Sequence, residues 1–392
     1  MGRFLYPLVL GAFAVGMEGM MIAGLLPAIA EQLGVGLSAA GWLVIGFSAT
    51  YAVAAPLAAA LAASFERRAV LLSGMAAFAL GNLACALAPG FGTLVAARLW
   101  TALAAALFMP AAMAYAGASA PPEARGRVLG LVGGGVTASL VLGVPLGTWL
   151  GTAGGIGAAG VWRWPFLVVA ALGAAAFLGV LLGVPRRAGA AGASVGQRLS
   201  VLGLPAIRRT LAVTVLWSTG AFAVYTYVAP VMERAGGLGA AEMPAFMLAW
   251  GVAASIGSVG GGRVADRIGA GAVAGGGLLV MAAASAALGG LSAAPVAAVA
   301  LMMACGVAGW AVNPAQQARL IAAEPAVAQV SLSFHASAIY LGSALGSLLG
   351  SVVVGLGEPA LLGWVAAACA LAALSLLAAS RRPAVAVAGA LR

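Results

Sequence analysis

The chain has 392 residues, of which 64% are hydrophobic and only 7% charged, and its formal net charge of +10 rests on 19 cationic residues that are all arginine. A soluble domain is excluded, because its surface would need about 25% charged residues. Nucleic-acid binding is excluded too, since the arginines are scattered over short segments instead of forming a basic face, and a chain without lysine holds no G-x-x-x-x-G-K-[ST] loop for ATP. Apolar runs of about 20 residues, the length that crosses a roughly 30 Å hydrocarbon core, recur twelve times. They cover 6–29, 39–61, 70–88, 91–119, 128–152, 164–184, 210–232, 243–262, 273–292, 296–318, 329–353 and 361–380. Helices are predicted for all of them, because only helices satisfy every backbone group within one segment, whereas barrel strands would be half as long and alternating.

The first run carries Glu18 near its middle, the one acid within any apolar run. It is too long for a signal peptide and lacks a small-residue cleavage site, so it reads as a retained span. Counted from a cytoplasmic N-terminus, sixteen arginines fall in cytoplasmic segments, two in outer loops (Arg163 and Arg234), and Arg98 alone within a span. The acids outside the membrane divide evenly, so the positive-inside rule predicts that both termini are cytoplasmic. Arg98 stands about 10 Å from the outer end of the fourth run and Glu18 about 18 Å from the inner end of the first, at 1.5 Å per residue. They are therefore expected at similar depth, and a guanidinium that stays charged in lipid needs a partner that only Glu18 can supply.

In the fifth run, Ser139, Gly143, Gly147 and Gly151 recur every fourth residue, a stripe that lets a neighbouring backbone approach closely, and Pro145 bends the helix. The longest polar interruption, 185–209, follows the sixth run and divides the chain into an N-terminal bundle (1–184), a cytoplasmic linker (185–209), a C-terminal bundle (210–380) and a tail (381–392). Gly11-Ala-Phe-Ala-Val15 and Gly220-Ala-Phe-Ala-Val224 occupy equivalent places in the two halves. Six-helix halves with weak internal symmetry suggest a transporter that rocks one half against the other around a midplane site. Cys85, Cys305 and Cys369 lie in separate runs without metal-ligand spacing, and read as small core residues. An intramembrane enzyme needs clustered His or paired carboxylates, and this chain has one Asp, one His and one buried Glu.

Several motifs resemble those of the major facilitator superfamily, within its twelve-helix drug:proton antiporter group and nearest to the arabinose-efflux and chloramphenicol-resistance type exporters. The loop after the second run is similar to the signature G-x-L-x-D-R-x-G-R-R in Leu61, Arg67 and Arg68, with Ala63 at the acidic position and Glu66 at the second Gly. Its second-half counterpart keeps Asp266, Arg267 and Gly269. Leu94-Val-Ala-Ala-Arg-Leu-Trp-Thr-Ala-Leu-Ala104 resembles the family's fourth-helix motif around Arg98, and Gly143-Val-Pro-Leu-Gly147 its antiporter signature. Segments Tyr225–Pro230, Asn313–Arg319 and Ser333–Gly342 look like the family too, with His335 and Tyr340 where relatives commonly have Asn.

The resemblance implies an all-α membrane protein of the major facilitator fold, acting as a monomer without cofactor or metal and exporting a small molecule across the plasma membrane in exchange for protons. Glu18 with Arg98 is expected to carry the proton, since burial and a nearby cation pull a carboxyl's proton affinity in opposite directions. Arg67, Arg68, Pro145, Gly143, Gly147, Asp266 and Arg267 are expected to gate. The family's central helices imply a cavity lined by Met17, Met21, Tyr225, Tyr227, Trp310, Asn313 and Gln317, with His335 and Tyr340 from the eleventh. Met and aromatic groups favour partly apolar compounds such as antibiotics. Asn313, Gln317 and His335 keep open a polar metabolite such as a sugar, nucleoside or amino-acid derivative.

Overall fold

The computed structural model describes residues 4–152, 160–189 and 195–379, so the predicted tail and part of the linker lie outside the described residues. All regular structure among them is helical. Eleven helices are long and apolar enough to cross a membrane. The first six are Leu5–Gln32, Leu37–Ser64, Arg67–Leu87, Phe91–Ser119, Pro122–Thr152 and Arg163–Gly183. After the linker come Met243–Ile268, Ala270–Gly290, Pro295–Ala323, Pro325–Gly355 and Leu361–Ala379. The seventh predicted span is Pro205–Thr226, which follows the short helical segment Val195–Gly203 and turns from it by 88°. It therefore begins inside the expected linker, with Pro205 in the first turn, where a missing N–H costs nothing. The helix breaks at Tyr227 and resumes as Val228–Gly236.

Spans one to six pack into one bundle and seven to twelve into another. With twelve crossings the first span begins and the last span ends on the same face, called here the terminal face, and the other is the distal face. The fifth span contains a π-turn over Ser139–Gly143, closed by Val144 N–H bonding to Ser139 O. The turn sits just before Pro145, whose ring would clash with the carbonyl four residues back in a regular helix.

The two bundles meet at mid-depth and towards the distal face. The second span packs along the eleventh, and the eighth packs on Ser139–Gly143 and Val144–Thr152 of the fifth. Ser38 Oγ lies 2.8 Å from Ser351 O, and Ser48 and Ser343 hydroxyls lie 3.0 Å apart, both across the bundle boundary. Towards the terminal face, by contrast, Arg125–Ala138 of the fifth span and the eighth span make no comparable packing, nor do the fourth and tenth spans. The cleft between the bundles is thus closed distally and parted at the terminal face.

Candidate functional site

Glu18 and Arg98 form an ion pair, with side chains 0% and 1% exposed. Arg98 Nη1 donates to Glu18 Oε1 and lies 3.3 Å from Glu18 O. Arg98 Nε donates to Leu43 O of the second span at 3.2 Å. The Thr101 hydroxyl, one turn beyond Arg98, is 2.9 Å from Glu18 Oε1. Phe47 closes one side, its ring centroid 4.4 Å from Arg98 Cζ, so the guanidinium rests partly on an aromatic face. Glu18 Oε2 and Arg98 Nη2 are buried without a hydrogen-bond partner. Thr101 was not singled out from sequence, although its place three residues after Arg98 puts both on one helix face.

The helix carrying Glu18 is held by the glycine stripe of the fifth span. A Cβ on Gly143 would stand 2.9 Å from Met17 Cβ, and one on Gly147 3.0 Å from Met21 Sδ. Met17 and Met21 are fully buried in these notches. They differ in this from the expected cavity lining, because the absence of side chains on the stripe leaves room that the methionines fill. Met20, on the next face of the same helix, is the methionine that reaches open space.

That space is a recess within the second bundle, with a cavity volume of about 60 Å³. The seventh span contributes Trp217, Phe222 and Tyr225, the eighth Trp250, the ninth Met281 and Ser285, and the tenth Met302, Cys305 and Trp310. Met20 alone comes from the first bundle. The Tyr225 hydroxyl donates to Met20 O at 3.1 Å, joining the two bundles at the rim. Tyr225 and Trp250 rings lie 4.4 Å apart, and Trp250 meets Trp310 edge-on at 6.3 Å. Of the expected lining, Tyr225 and Trp310 face this recess. Trp217, Trp250, Met281 and Met302 carry no signal in a chain apolar throughout.

The other expected lining residues lie elsewhere. Tyr227 is fully buried in the distal region, its hydroxyl 3.4 Å from Ser347 O. Asn313, Gln317 and His335 bond to one another instead of to the recess: Gln317 Nε2 and His335 Nε2 lie 3.0 and 2.8 Å from Asn313 Oδ1. His335 Nδ1 is 3.4 Å from the Thr214 hydroxyl, which Gln316 Nε2 also reaches at 3.3 Å. Tyr340 sits at the bundle boundary, its ring centroid 3.9 Å from that of Tyr51 and 6.2 Å from that of Phe47. A residue of the second bundle thereby touches the aromatic floor under Arg98.

Arg67 Nη1 donates to Ala114 O at 2.7 Å and Arg68 Nη2 to Leu181 O, so both satisfy carbonyls near the terminal-face ends of the fourth and sixth helices. These contacts stay within the first bundle. Glu66 caps the third span by accepting from Arg68 N–H at 3.1 Å. Asp266 and Arg267 are exposed at the terminal-face end of the eighth span, and among the described residues no ion pair joins them.

The family model described as Major Facilitator Superfamily matches residues 8–326. The chain is 32% identical over 355 residues to the inner membrane transport protein YdhP of Escherichia coli, covering 90% of each chain. It is 33% identical over 359 residues to a chloramphenicol resistance protein of Streptomyces lividans, covering 90% of this chain and 89% of that one. Its fold matches the partially occluded inward open conformation of the E. coli xylose transporter XylE with a TM-score of 0.77, at 15% identity over 97% of this chain and 99% of that one.

Proposed function

The chain belongs to the Major Facilitator Superfamily and is a multi-pass membrane transporter, and we propose that it is a proton-coupled antiporter exporting small, partly apolar compounds across the plasma membrane by alternating access. The observation that carries this reading is the buried Glu18–Arg98–Thr101 cluster in one bundle, beside an aromatic recess in the other. With the termini cytoplasmic, as the arginine distribution argues, the parted terminal face makes this the inward-facing state.

Electrostatics then gives the direction of coupling. Arg98 cannot shed its charge, so it is tolerated in a dry site only while Glu18 is ionised beside it. A proton taken by Glu18 leaves Arg98 uncompensated and favours a state in which water reaches the pair. Glu18 Oε2, free of partners, is the atom that would hold the proton, since Oε1 already accepts from Arg98 and Thr101. In the outward state the carboxyl takes up a proton and substrate leaves; in the inward state the proton leaves, the pair closes and substrate binds. The fifth span links this cluster to the second bundle, gripping Met17 and Met21 on one side and Gly251 of the eighth span on the other.

Export rests on the likeness of the fifth-span segment to the antiporter signature and on the chloramphenicol-resistance relative. The polar-metabolite alternative draws less support, because Asn313, Gln317 and His335 are occupied with one another. The test is reconstitution in liposomes with an imposed pH gradient, following uptake of uncharged aromatic and of sugar substrates. Gradient-driven movement of the aromatic compounds is expected; movement that ignores the pH gradient would refute proton coupling.

A further inference from the structure

Glu18 and Arg98 both belong to the first bundle, yet part of the wall around them belongs to the second. Phe47 of the second span lies against the guanidinium. Beside it sits the Tyr340 ring of the eleventh span, 6.2 Å from Phe47 and 3.9 Å from Tyr51 between centroids, so rings from both bundles form one layer. The Tyr340 hydroxyl reaches the residue after Glu18: a Cβ built on Gly19 would lie 3.8 Å from Tyr340 Oη and 4.0 Å from Phe47 Cε1. Glu18 is fully buried, whereas Tyr340 is half-buried. Neither the Tyr340 nor the Tyr51 hydroxyl makes a hydrogen bond among the described residues. Tyr340 is thus held on the first bundle by ring contact, which a parting of the second and eleventh spans would break.

Few titratable groups surround Glu18. Arg98 of the fourth span pairs with it, and Cys85 of the third and Tyr340 of the eleventh lie within electrostatic reach, with Tyr51 of the second behind Tyr340. Tyr225 of the seventh bonds two residues further along, at Met20 O. Thiols and phenols are neutral and guanidinium is charged between about pH 5 and 7. Glu18 is therefore the group whose charge changes there.

We propose that Tyr340 is the removable seal of the proton site: its ring keeps water from the Glu18–Arg98 pair while the bundles touch distally, and leaves with the second bundle when they part there. The proposal rests on the proton-coupled reading and supplies the part that ties protonation to bundle position. With the ring in place, Arg98 is tolerated only beside an ionised Glu18. A protonated Glu18 then favours the parted state, in which water takes the ring's place. Without the ring the pair is hydrated in both states, and a proton on Glu18 no longer biases the bundles.

Two measurements on the full chain test this. In the first, Ser38→Cys and Ser351→Cys, at serines whose hydroxyls lie 2.9 Å apart, are oxidised to a disulfide that holds the bundles together distally. A water-soluble carbodiimide with glycinamide is applied, and amide formation at Glu18 is read by mass spectrometry against the exposed Glu31 and Glu358. Tyr340→Ala is expected to raise the Glu18 rate about 10-fold or more, because the reagent otherwise waits for a buried ring to leave. Tyr340→Phe, which keeps the ring, should match the parent. Reducing the cross-link in the parent, which needs no change at Tyr340, should also raise the rate. In the second measurement, nitroxides at Glu31→Cys and Glu358→Cys, in opposite bundles, follow the distal distance as the pH is lowered. The distance should lengthen in the parent and in Tyr340→Phe, and this response should be lost in Tyr340→Ala.

Equal Glu18 modification in cross-linked Tyr340→Ala and parent would overturn the seal, as would the absence of a gain on reduction. A gain in Tyr340→Phe as large as in Tyr340→Ala would overturn the ring as its agent. Failure of the underlying reading is distinct: the expected labelling, with a parent distance indifferent to pH, would sink proton coupling and sustain the seal. A pH response that survives in Tyr340→Ala would keep proton coupling and overturn the seal's part in it.

Discussion

Gly251→Ala should drive the transporter out of the state described here. Gly251 of the eighth span lies directly on the backbone of the fifth: a Cβ there would stand 2.7 Å from the Leu140 carbonyl carbon and 3.2 Å from Val141 Cα. The obstacle is main chain next to the Ser139–Gly143 π-turn, so no side chain can rotate away. Overpacking of this kind costs about 1–3 kcal/mol. The cost falls on the state in which the spans touch and is relieved when the bundles part distally, so the equilibrium should move about 5- to 150-fold towards the distal-open state. Nitroxide pairs at Glu31→Cys and Glu358→Cys, exposed distal positions in opposite bundles, would report the change as a longer electron–electron distance. Gly260→Ala on the same helix, where a Cβ meets nothing within 4 Å, is the silent control. An unchanged distance distribution in folded Gly251→Ala protein would refute the claim that the contact belongs to one state.

Glu18→Gln should abolish pH-gradient-driven transport while leaving substrate exchange measurable; unchanged gradient-driven transport would remove Glu18 from the mechanism. Arg98→Ala should lower transport and uncouple it from protons, and normal coupling in it would leave Glu18 without its proposed counter-ion. Thermal unfolding in detergent should be lowered more by Glu18→Leu than by Arg98→Leu, because a stranded carboxyl can neutralise itself with a proton and a guanidinium cannot. The loss for Glu18→Leu should be about 3–5 kcal/mol, the cost of an unpaired buried charge, and the double variant should recover most of it. His335→Ala removes the 2.8 Å contact to Asn313 and should cost about 1–3 kcal/mol in stability; altered substrate selectivity at unchanged melting temperature would instead put His335 in the transport path.

The membrane crossings and the Glu18–Arg98 pair were legible in the linear chain for one reason: lipid makes polarity conspicuous. Apolar runs must match the bilayer thickness, and the single acid and single arginine within those runs have few partners to choose from. Pro145 likewise announced an irregular fifth helix, though not that it would be a π-turn. Packing between helices leaves no such trace. In a chain apolar on every face, Met17, Met20 and Met21 look alike, and the fold alone decides that two fill glycine notches while the third meets the recess. The aromatic walls were out of reach for the same reason, Trp217 and Trp250 being two tryptophans among nine. Arg67 and Arg68 were expected to gate, yet their contacts here are carbonyls of their own bundle, acceptors that every residue possesses. Transfer into lipid is a property of each segment and can be read from composition. The association of helices within lipid depends on shape and on close backbone approach, and those exist only once the spans are assembled.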